Sequence, residues 1–371
     1  MFDPEVPFNA LPFLTSKNFT ETKELRKLAE DTRVAIEVLN YAVNALPSPQ
    51  ILIDTLALQE AKVSSDIENI VTTNDELYMG VMFDEFVPAA KEVVNYKQAL
   101  FAGFSCLQEK GIVSLSDIEA INEPVNARQR GIRTNLPNFS SDLTRIANRR
   151  ADGAVEIIYT PPHGRELLQR LLIDMLEFIY DDEAYALHPL IKIAMAHYQF
   201  ESIHPFRDGN GRTGRILNTL FLCQKGYLSQ PILYASSYII RTKNQYYDLL
   251  LAANQTGNCL PVAEYLLQSF RSTATRTLQI VEQIRSLLFE YSSDVFLSGI
   301  TGQKELLQQI VLLIFKKVYV RISDLVELGL HRQTASTYLK QFADRGLLVE
   351  EKAGRHKYFK NIKLLKLFEG D

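Results

Sequence analysis

Twelve consecutive residues, His204 to Arg215, constrain this chain most, because polar groups and glycines interrupt an otherwise apolar region there. They read HPFRDGNGRTGR, and apolar residues with helical spacing flank them from Ile191 to Ile203 and from Ile216 to Leu222. The stretch is therefore predicted to be a loop between two core helices, with its second half opening the second helix.

The residue types in this loop are those that phosphate transfer needs. Glycines let the backbone approach a ligand, and free amides at a helix start bind anions with the help of the helix dipole. Arginines donate to phosphate oxygens, and Asp208 is a hard oxygen ligand of the kind that suits Mg²⁺. His204 can take a proton near neutral pH. A base, a metal ligand and a phosphate cradle together predict a phosphate-transfer site.

The loop resembles the signature of the Fic family, HPFx(D/E)GNGRxxR, at every position. Its seven fixed letters, HPF..GNGR, would match by chance about once in 10⁹ start positions at ~5% usage per residue. The resemblance covers roughly residues 116 to 255. It implies an all-helical core and transfer of AMP from ATP to a Tyr, Ser or Thr hydroxyl of a target protein.

The resemblance also implies a role for each residue of the loop. His204 is expected to accept the hydroxyl proton, and Asp208 to hold Mg²⁺ against the ATP phosphates. Tyr246 is expected to wall the adenine pocket beside Tyr247, although ordinary core packing explains both tyrosines equally well. The residues expected to bind the nucleotide are Gly209, Asn210, Gly211, Arg212, Thr213, Gly214, Arg215 and Tyr246.

A second motif, Ser64-xxx-Glu68-Asn69, lies upstream in a helix predicted over about residues 50–70. Ser64 and Glu68 are four residues apart and share one helix face, and spacing alone favours a solvated helix end. Self-inhibiting Fic proteins carry the pattern (S/T)xxxE(G/N) on an inhibitory helix, whose glutamate pairs with the second signature arginine, here Arg215. The resemblance therefore implies autoinhibition by Glu68 and Ser64 from an N-terminal helix.

A change of character follows between residues 131 and 162. Gly131 to Thr134 and Val155 to Thr160 are strand-like, and a polar stretch rich in Arg and Asn separates them. We predict a β-hairpin with a long, partly helical turn. It resembles the Fic flap, which lays a target segment against the site by strand pairing. A surface hairpin without a role is the alternative.

Length and composition place the chain among globular proteins of two or three domains, with 371 residues, 46% of them hydrophobic and 23% charged. We predict a mainly α fold in three parts. They are an N-terminal helical region (1–115) that carries the inhibitory helix, a Fic catalytic core with flap and bridging helix (116–290), and a winged helix-turn-helix domain (291–371).

The C-terminal part is a separate electrostatic unit. Residues 301–371 contain 13 Lys and Arg against 8 Asp and Glu, a net charge of +5, so the rest of the chain has a net charge of −9. Its predicted short helices and hairpin resemble a winged helix-turn-helix with His331 to Arg345 as recognition helix. Winged helices bind DNA or dock proteins, and the charge leaves both open; a homodimer is a further candidate assembly. The residues suited to DNA contact are Arg332, Gln333, Thr334, Ser336, Lys340, Lys352, Arg355 and Lys357.

Location and rival functions complete the expectations. No apolar run reaches transmembrane length, the N-terminus lacks the features of a signal peptide, and three widely spaced cysteines read as reduced core residues. We therefore expect no membrane partner and a cytoplasmic location. Two rivals stay open: a Fic enzyme that uses another phosphate-containing donor or removes AMP, and a DNA-binding regulator that only senses nucleotide. His204 argues against the sensor, because sensing needs no base.

Overall fold

The computed structural model describes residues 2–17, 19–126, 131–133, 144–149, 155–353 and 356–369. Helices dominate these residues and the strands are short, which confirms the predicted mainly α fold. The first helices are α1 (Lys23–Asn44), α2 (Gln50–Ile67), α3 (Asn74–Phe83), α4 (Pro88–Lys110), α5 (Leu115–Val125), α6 (Arg165–Tyr180), α7 (Pro189–Ile203) and α8 (Asn210–Gln224). The later ones are α9 (Ser236–Arg241), α10 (Lys243–Thr256), α11 (Leu260–Tyr291), α12 (Asp294–Leu297), α13 (Lys304–Lys316), α14 (Ile322–Val326), α15 (Arg332–Asp344) and α16 (Ile362–Glu369). The strands are β1 (Ile146–Arg149), β2 (Val155–Tyr159), β3 (Tyr319–Val320), β4 (Val349–Ala353) and β5 (His356–Lys360).

Packing divides the chain into two compact units, each built from segments that are distant in sequence. The first unit comprises Met1–Glu37, Glu60–Val71 and Glu92–Ala274. The second comprises Val38–Gln59, Thr72–Lys91 and Thr275–Asp371. The three-domain division at residues 115 and 290 concerns consecutive segments of sequence and stays a prediction.

Helix α7 is the centre of the first unit. It is buried almost all round, as expected of the sequence PLIKIAMAHYQFESI, which has apolar residues on every face. Pro189 occupies its first turn, where a missing N–H costs nothing, and His188 Nδ1 accepts from the Leu190 N–H. Helices α6 and α8 pack against α7. The loop that joins α7 to α8 therefore starts and ends in the core.

Strands β1 and β2 form an antiparallel hairpin in the first unit, with Ala147 opposite Ile157 and Arg149 opposite Val155. The predicted second strand is confirmed over Val155–Tyr159. Residues 150–154, between the strands, lie outside the described residues.

The predicted first strand of this hairpin, Gly131 to Thr134, was wrong, because residues 146–149 pair with β2 instead. Gly131 has a left-handed backbone with φ +77°, and Ile132 and Arg133 are buried. Thr134 and the stretch up to residue 143, where a partly helical turn was expected, lie outside the described residues. The alternation of apolar and polar residues in GIRT was misleading. The Arg133 side chain donates to backbone carbonyls in the core, so its polar character does not mark the exposed face of a strand.

The second unit contains helices α13 to α15 and an antiparallel sheet of order β3-β5-β4. The predicted hairpin is confirmed, since β4 and β5 pair from Val349 opposite Lys360 to Ala353 opposite His356. Its turn residues, Gly354 and Arg355, lie outside the described residues. Strand β3 was not expected and adds a third strand beside β5. The assignment of this part of the chain to a winged helix-turn-helix stays a prediction.

Helix α3 of the second unit was missed from the sequence. A capping box starts it, in which Thr73 Oγ1 accepts from the Glu76 N–H at 3.1 Å and Glu76 Oε2 accepts from the Thr73 N–H at 2.8 Å. Tyr78 stacks on Tyr319 with ring centroids 4.9 Å apart, and the Tyr319 hydroxyl donates to Asp75. The T-x-x-E signal was present in the sequence, but a helix this short also needs the surface that it packs on.

In the described ranges, none of the helices has the length and apolar character that crossing a membrane requires. Cys106, Cys223 and Cys259 are free thiols, and Cys259 is buried. The cytoplasmic location and the homodimer stay predictions.

Candidate active site

The loop between α7 and α8 contains two residues with left-handed backbone. His204 ends α7 with φ 47°, which non-glycine residues seldom adopt, and its N–H donates to the Phe200 carbonyl at 2.9 Å. Gly209 precedes α8 with φ 75°, and a side chain there would collide with Val125. The strain at His204 persists only where the surroundings impose it, whereas glycine adopts this backbone conformation readily.

Side-chain hydrogen bonds impose the shape of this loop. Asn210 Oδ1 accepts from the Phe206 N–H and Asn210 Nδ2 donates to the Phe206 carbonyl, both at 2.8 Å. On the other side, Asn122 Nδ2 donates to the Asp208 carbonyl and to Thr213 Oγ1, both at 3.1 Å. The side chains of Asn210 and Thr213 therefore maintain the loop.

Arg133 binds the carbonyl groups that lead into the loop. Its guanidinium donates to the carbonyls of His204 at 2.7 Å, Ile203 at 3.0 Å and Pro162 at 2.7 Å. Only 2% of Arg133 is exposed, and burial lowers its pKa to about 10, so it remains a cation at neutral pH. Sequence reasoning assigned this arginine to a strand and missed the contact.

The His204 ring is neutral in this setting. Burial lowers the pKa of His204 to about 4, and the Arg133 charge adds to this, against smaller opposing effects from Glu68 and Asp208. Among the described residues, His204 Nδ1 is buried and makes no hydrogen bond of normal geometry. The nearby Glu201 backbone raises the pKa of His204, but less than burial lowers it. A neutral imidazole has one nitrogen lone pair with which to accept a proton.

Arg215 on α8 is bound by the end of helix α2. Its Nη2 donates to Glu68 Oε1 at 3.0 Å and to the Ser64 carbonyl at 2.9 Å, and its Nε donates to Ser64 Oγ at 2.7 Å. Burial would raise the pKa of Glu68, but the charge and hydrogen bond of Arg215 lower it below its ordinary value. Asn69 ends the helix with φ 62°, which explains why the motif needs Gly or Asn after the glutamate.

A cavity of about 420 Å³ lies beside these residues, within the usual size of small-molecule sites. Flap strands β1 and β2, the end of α2 and helix α10 contribute to its wall. A Cβ on Gly211 would lie 2.4 Å from Glu68 Oε1 and 2.9 Å from Arg215 Nη1, so glycine at this position leaves the space in which the two side chains meet. The sequence-predicted residues on the wall are Glu68, His204, Gly211, Arg215 and Tyr246, whereas Ser64, Asp208, Gly209, Asn210, Arg212, Thr213 and Gly214 lie off it.

Asp208 and Arg212 contact each other off the cavity wall. Asp208 Oδ1 accepts from the Gly209 N–H at 2.6 Å and lies 3.5 Å from Arg212 Nη2, while Arg212 also pairs with Glu92 at 2.9 Å. No group of three metal-ligating His, Cys, Asp or Glu side chains occurs among the described residues. The 64% exposed Asp208 side chain nevertheless fits Mg²⁺ delivered with a nucleotide, since Mg²⁺ takes one or two carboxylates and fills its other positions with phosphates and water.

Family models match three successive parts of the chain. Residues 26–105 match "Fic/DOC family N-terminal", and residues 113–222 match "Fic/DOC family". The chain belongs to the Fic family. Residues 303–364 match "Protein adenylyltransferase SoFic-like, C-terminal domain". The match to residues 113–222 includes the whole signature of this Fic protein, and the match to residues 26–105 includes Ser64 and Glu68.

Curated relatives match this Fic protein over about a third of its length. Protein adenylyltransferase fic-1 of Caenorhabditis briggsae is 31% identical over 118 residues, which are 32% of this chain and 22% of the relative. Protein adenylyltransferase Fic of Culex quinquefasciatus is 36% identical over 105 residues, which are 28% of this chain and 20% of the relative. The match therefore spans about a fifth of the length of these relatives.

Solved structures share the fold of this Fic protein. A Fic family protein from Desulfovibrio desulfuricans G20 is similar with a TM-score of 0.56 and 20% identity, over 92% of this chain and 97% of that one. Fic-1 of Caenorhabditis elegans is similar with a TM-score of 0.52 and 18% identity, over 71% of this chain and 74% of that one.

Tyr246 lies between the cavity and the core of the Fic fold. Only 1% of it is exposed, and its hydroxyl lies 2.7 Å from His197 Nε2. Asn218 Nδ2 lies 3.0 Å from His197 Nδ1, so both ring nitrogens of His197 have a hydrogen-bonding neighbour in the core. Tyr247 lines the same cavity, is less buried, and has its ring centroid 5.3 Å from that of Tyr246. Core packing therefore accounts for much of Tyr246, and Tyr247 presents the more accessible ring.

Sequence reasoning missed several residues at this Fic site. Glu201 and Lys243 line the cavity, and Lys243 Nζ donates to the Ile67 carbonyl at the end of α2 at 2.6 Å. Glu201 lies three residues before His204, and helical spacing could have placed it near the same face. Nothing in the local sequence indicates Asn122 or Lys243, because contacts distant in sequence bring them to the site.

Proposed function

We propose that this protein transfers AMP from ATP to a Tyr, Ser or Thr hydroxyl of a target protein, and that the end of helix α2 inhibits the transfer. The activity named for the curated relatives supports the reaction. The observation that carries the proposal is that His204, Gly211 and Arg215 line one cavity, while the Arg215 guanidinium is paired with the Glu68 carboxylate.

In the proposed reaction, His204 accepts the proton of the target hydroxyl while the hydroxyl oxygen attacks the α-phosphorus of ATP. The bond from the α-phosphorus to the oxygen shared with the β-phosphate breaks, and pyrophosphate leaves with that electron pair. The first amides of helix α8 and Arg215 hold the phosphates in line. Arg212 joins them by exchanging Glu92 for a phosphate oxygen. Mg²⁺ bound at Asp208 would neutralise part of the phosphate charge.

The flap supports a protein as the acceptor. Ile146, Ala147, Ile158 and Tyr159, from strands β1 and β2, line the cavity that His204 faces. A target segment that pairs with an edge of this hairpin would bring its hydroxyl to the base by main-chain hydrogen bonds. Such pairing leaves the choice of target to side chains around the hydroxyl.

Glu68 supports inhibition and a second candidate activity at the same site. The carboxylate binds Arg215, the donor proposed for the ATP phosphates, and its negative charge opposes a polyanion in a partly dry cleft. The same carboxylate lines the cavity, where it would orient a water for the removal of AMP from a modified target.

Labelling with radioactive ATP tests the proposed reaction. Label in the α-phosphate should enter the protein and its targets, whereas label in the γ-phosphate should not. Transfer of the γ-label would identify a kinase-like reaction. Transfer of neither label by the Glu68→Gly variant would favour a nucleotide sensor.

We also propose that helix α15 contacts DNA as a second partner. Arg332, Gln333, Thr334 and Lys340 are exposed on this helix or at its start, as phosphate and base-edge contacts require. Lys352 is exposed on β4, while Lys357 on β5 already pairs with Glu350 at 2.6 Å. The helix therefore carries the proposal more than the hairpin does.

A further inference from the structure

Glu201 is a carboxyl on the cavity wall that the proposed mechanism does not use. It lies on helix α7, one turn before His204, and its Oε1 is buried without a hydrogen-bond partner among the described residues. Gly214 makes room for it, since a Cβ on Gly214 would lie 2.5 Å from Glu201 Oε1. A buried carboxyl oxygen without a partner costs free energy, which points to a second state in which the partner is present.

Arg215, the residue after Gly214, supplies that partner. In the part of the chain that the structure describes, its guanidinium donates to Ser64 and Glu68, and Ser64 offers only neutral oxygens. When Glu68 leaves, as proposed for the active enzyme, Arg215 keeps its charge with 2% of its side chain exposed. An unpaired cation in such a site is strongly destabilising. Glu201 is then the remaining acidic side chain on the described cavity wall.

The charges around Glu201 change in the direction that this exchange needs. Burial raises the pKa of Glu201 to about 7, the Arg215 charge lowers it, and the Glu68 charge raises it. Loss of Glu68 removes that repulsion, so the pKa of Glu201 falls and the carboxyl ionises beside the cation. Tyr246 and Tyr247, which also interact with Glu201, have pKa values raised by burial and stay neutral. The neutral His204 ring adds no charge, and its contact is with the Glu201 backbone.

We infer that Glu201 is a positioning residue that binds Arg215 when Glu68 leaves and holds the guanidinium where it meets the ATP phosphates. The inference rests on the proposed function and deepens it. Bound ATP also compensates Arg215, but only until pyrophosphate leaves, whereas Glu201 keeps the arginine in place between turnovers. Two carboxylates would thus share one arginine, one in the inhibited state and one in the active state.

Thermal unfolding at about pH 6.5 tests the pairing without any need for activity. Glu201→Gln alone should lower the Tm little, because Glu201 is mostly protonated while Glu68 is present. In the Glu68→Gly background the same change leaves Arg215 without a carboxylate, and should lower the Tm by at least ~3 °C beyond the sum of the single effects.

Glu60→Gln is the matched control for this comparison. Burial also raises the pKa of Glu60 to about 7, and it too feels the Arg215 charge. However, it lies off the cavity wall and already accepts from the Ser236 and Tyr96 hydroxyls. The change in Tm caused by Glu60→Gln should therefore add to the change caused by Glu68→Gly. Additive effects of Glu201→Gln, or coupling of Glu60 in its place, would overturn the inference.

Kinetics then test positioning. With Glu68→Gly, kcat should rise with pH between about pH 5 and 7 as Glu201 ionises. Glu68→Gly/Glu201→Gln should lose this rise and about tenfold in kcat, with little change in KM for ATP, and Glu68→Gly/Glu201→Asp should recover the rise. A merely structural role would not alter the pH profile, and an unchanged profile would refute positioning. If Glu68→Gly transfers no AMP, the proposed function fails, whereas the Tm comparison still decides the pairing.

Discussion

Arg133 Nε lies 2.7 Å from the backbone carbonyl oxygen of His204, across 71 positions of sequence. The contact joins a buried cation to the residue with the left-handed backbone at the end of helix α7. The backbone carbonyls of Ile203 and Pro162 accept hydrogen bonds from the same guanidinium. One arginine therefore satisfies the hydrogen bonding of the backbone that orients the proposed base.

Arg133→Met should destabilise the protein and slow the transfer of AMP. Three buried carbonyls lose a charged donor, which costs on the order of 2–4 kcal/mol in the free energy of unfolding. His204 is then free to leave its strained conformation, so kcat should fall more than KM for ATP rises. Urea unfolding and labelling kinetics measure the two effects. Arg145→Met, which removes an exposed arginine from the wall of the cavity that His204 lines, is the control and should leave the free energy of unfolding unchanged.

His204→Ala should lower the transfer rate by about 10²–10⁴ while ATP binding persists, because a general base is lost and the phosphate contacts remain. Since burial lowers the pKa of His204 to about 4, its ring should stay neutral as the pH falls from 8 to about 5. An NMR titration follows the imidazole signal that disappears in His204→Ala. A midpoint at the ordinary value near 6.5, or wild-type labelling by the variant, would refute the assignment of the base.

Glu68→Gly should raise self-modification and target labelling by at least about tenfold, since Arg215 becomes available to the phosphates. The helix propensity lost with glycine is about 1 kcal/mol, too little to unfold the protein. Asp66→Gly introduces the same glycine two residues earlier and removes an ion pair with Lys62 instead, so it should not activate. A paired assay of AMP addition and removal shows whether Glu68 also serves hydrolysis. If Glu68→Gly adds AMP no faster than wild type, Glu68 is not inhibitory.

Arg332→Ala and Lys340→Ala should weaken DNA binding, and the affinity of the wild-type protein should fall steeply with salt as phosphate contacts release counterions. Each lost phosphate contact should reduce the slope of log K against log salt by about one. Lys304→Ala serves as control, because Lys304 lies on α13 and pairs with Asp294 at 2.6 Å. No retention on DNA at low salt would leave protein docking as the role of this surface.

Much of the site could be predicted because its chemistry is contiguous. The signature from His204 to Arg215 contains the proposed base, the carboxylate and the glycines within one loop, and residue types alone indicate phosphate chemistry. The Ser64-xxx-Glu68-Asn69 pattern likewise places its carboxylate on a helix end, where Asn69 adopts the left-handed turn. Helices with strong apolar periodicity, such as α6 and α11, were also predictable from local pattern.

Other features depended on partners far away in the chain. Gly131 to Thr134 alternates like a strand, yet the register of the hairpin is set by residues 146–149, and Arg133 binds carbonyls that only the fold brings near. Helix α3 has a cap signal in sequence, but stacking of Tyr78 on Tyr319 completes it.

The sequence by itself determined which chemical groups this protein has and which local backbone shapes they prefer, because residue types, glycine placement and helix periodicity act over a few neighbours. Tertiary structure alone decided which groups meet. It paired Arg215 with Glu68 and Arg212 with Glu92. It also placed Glu201 Oε1 in a buried position without a hydrogen-bond partner among the described residues. Charge pairing and desolvation depend on distances between segments, and those distances exist only once the core has packed.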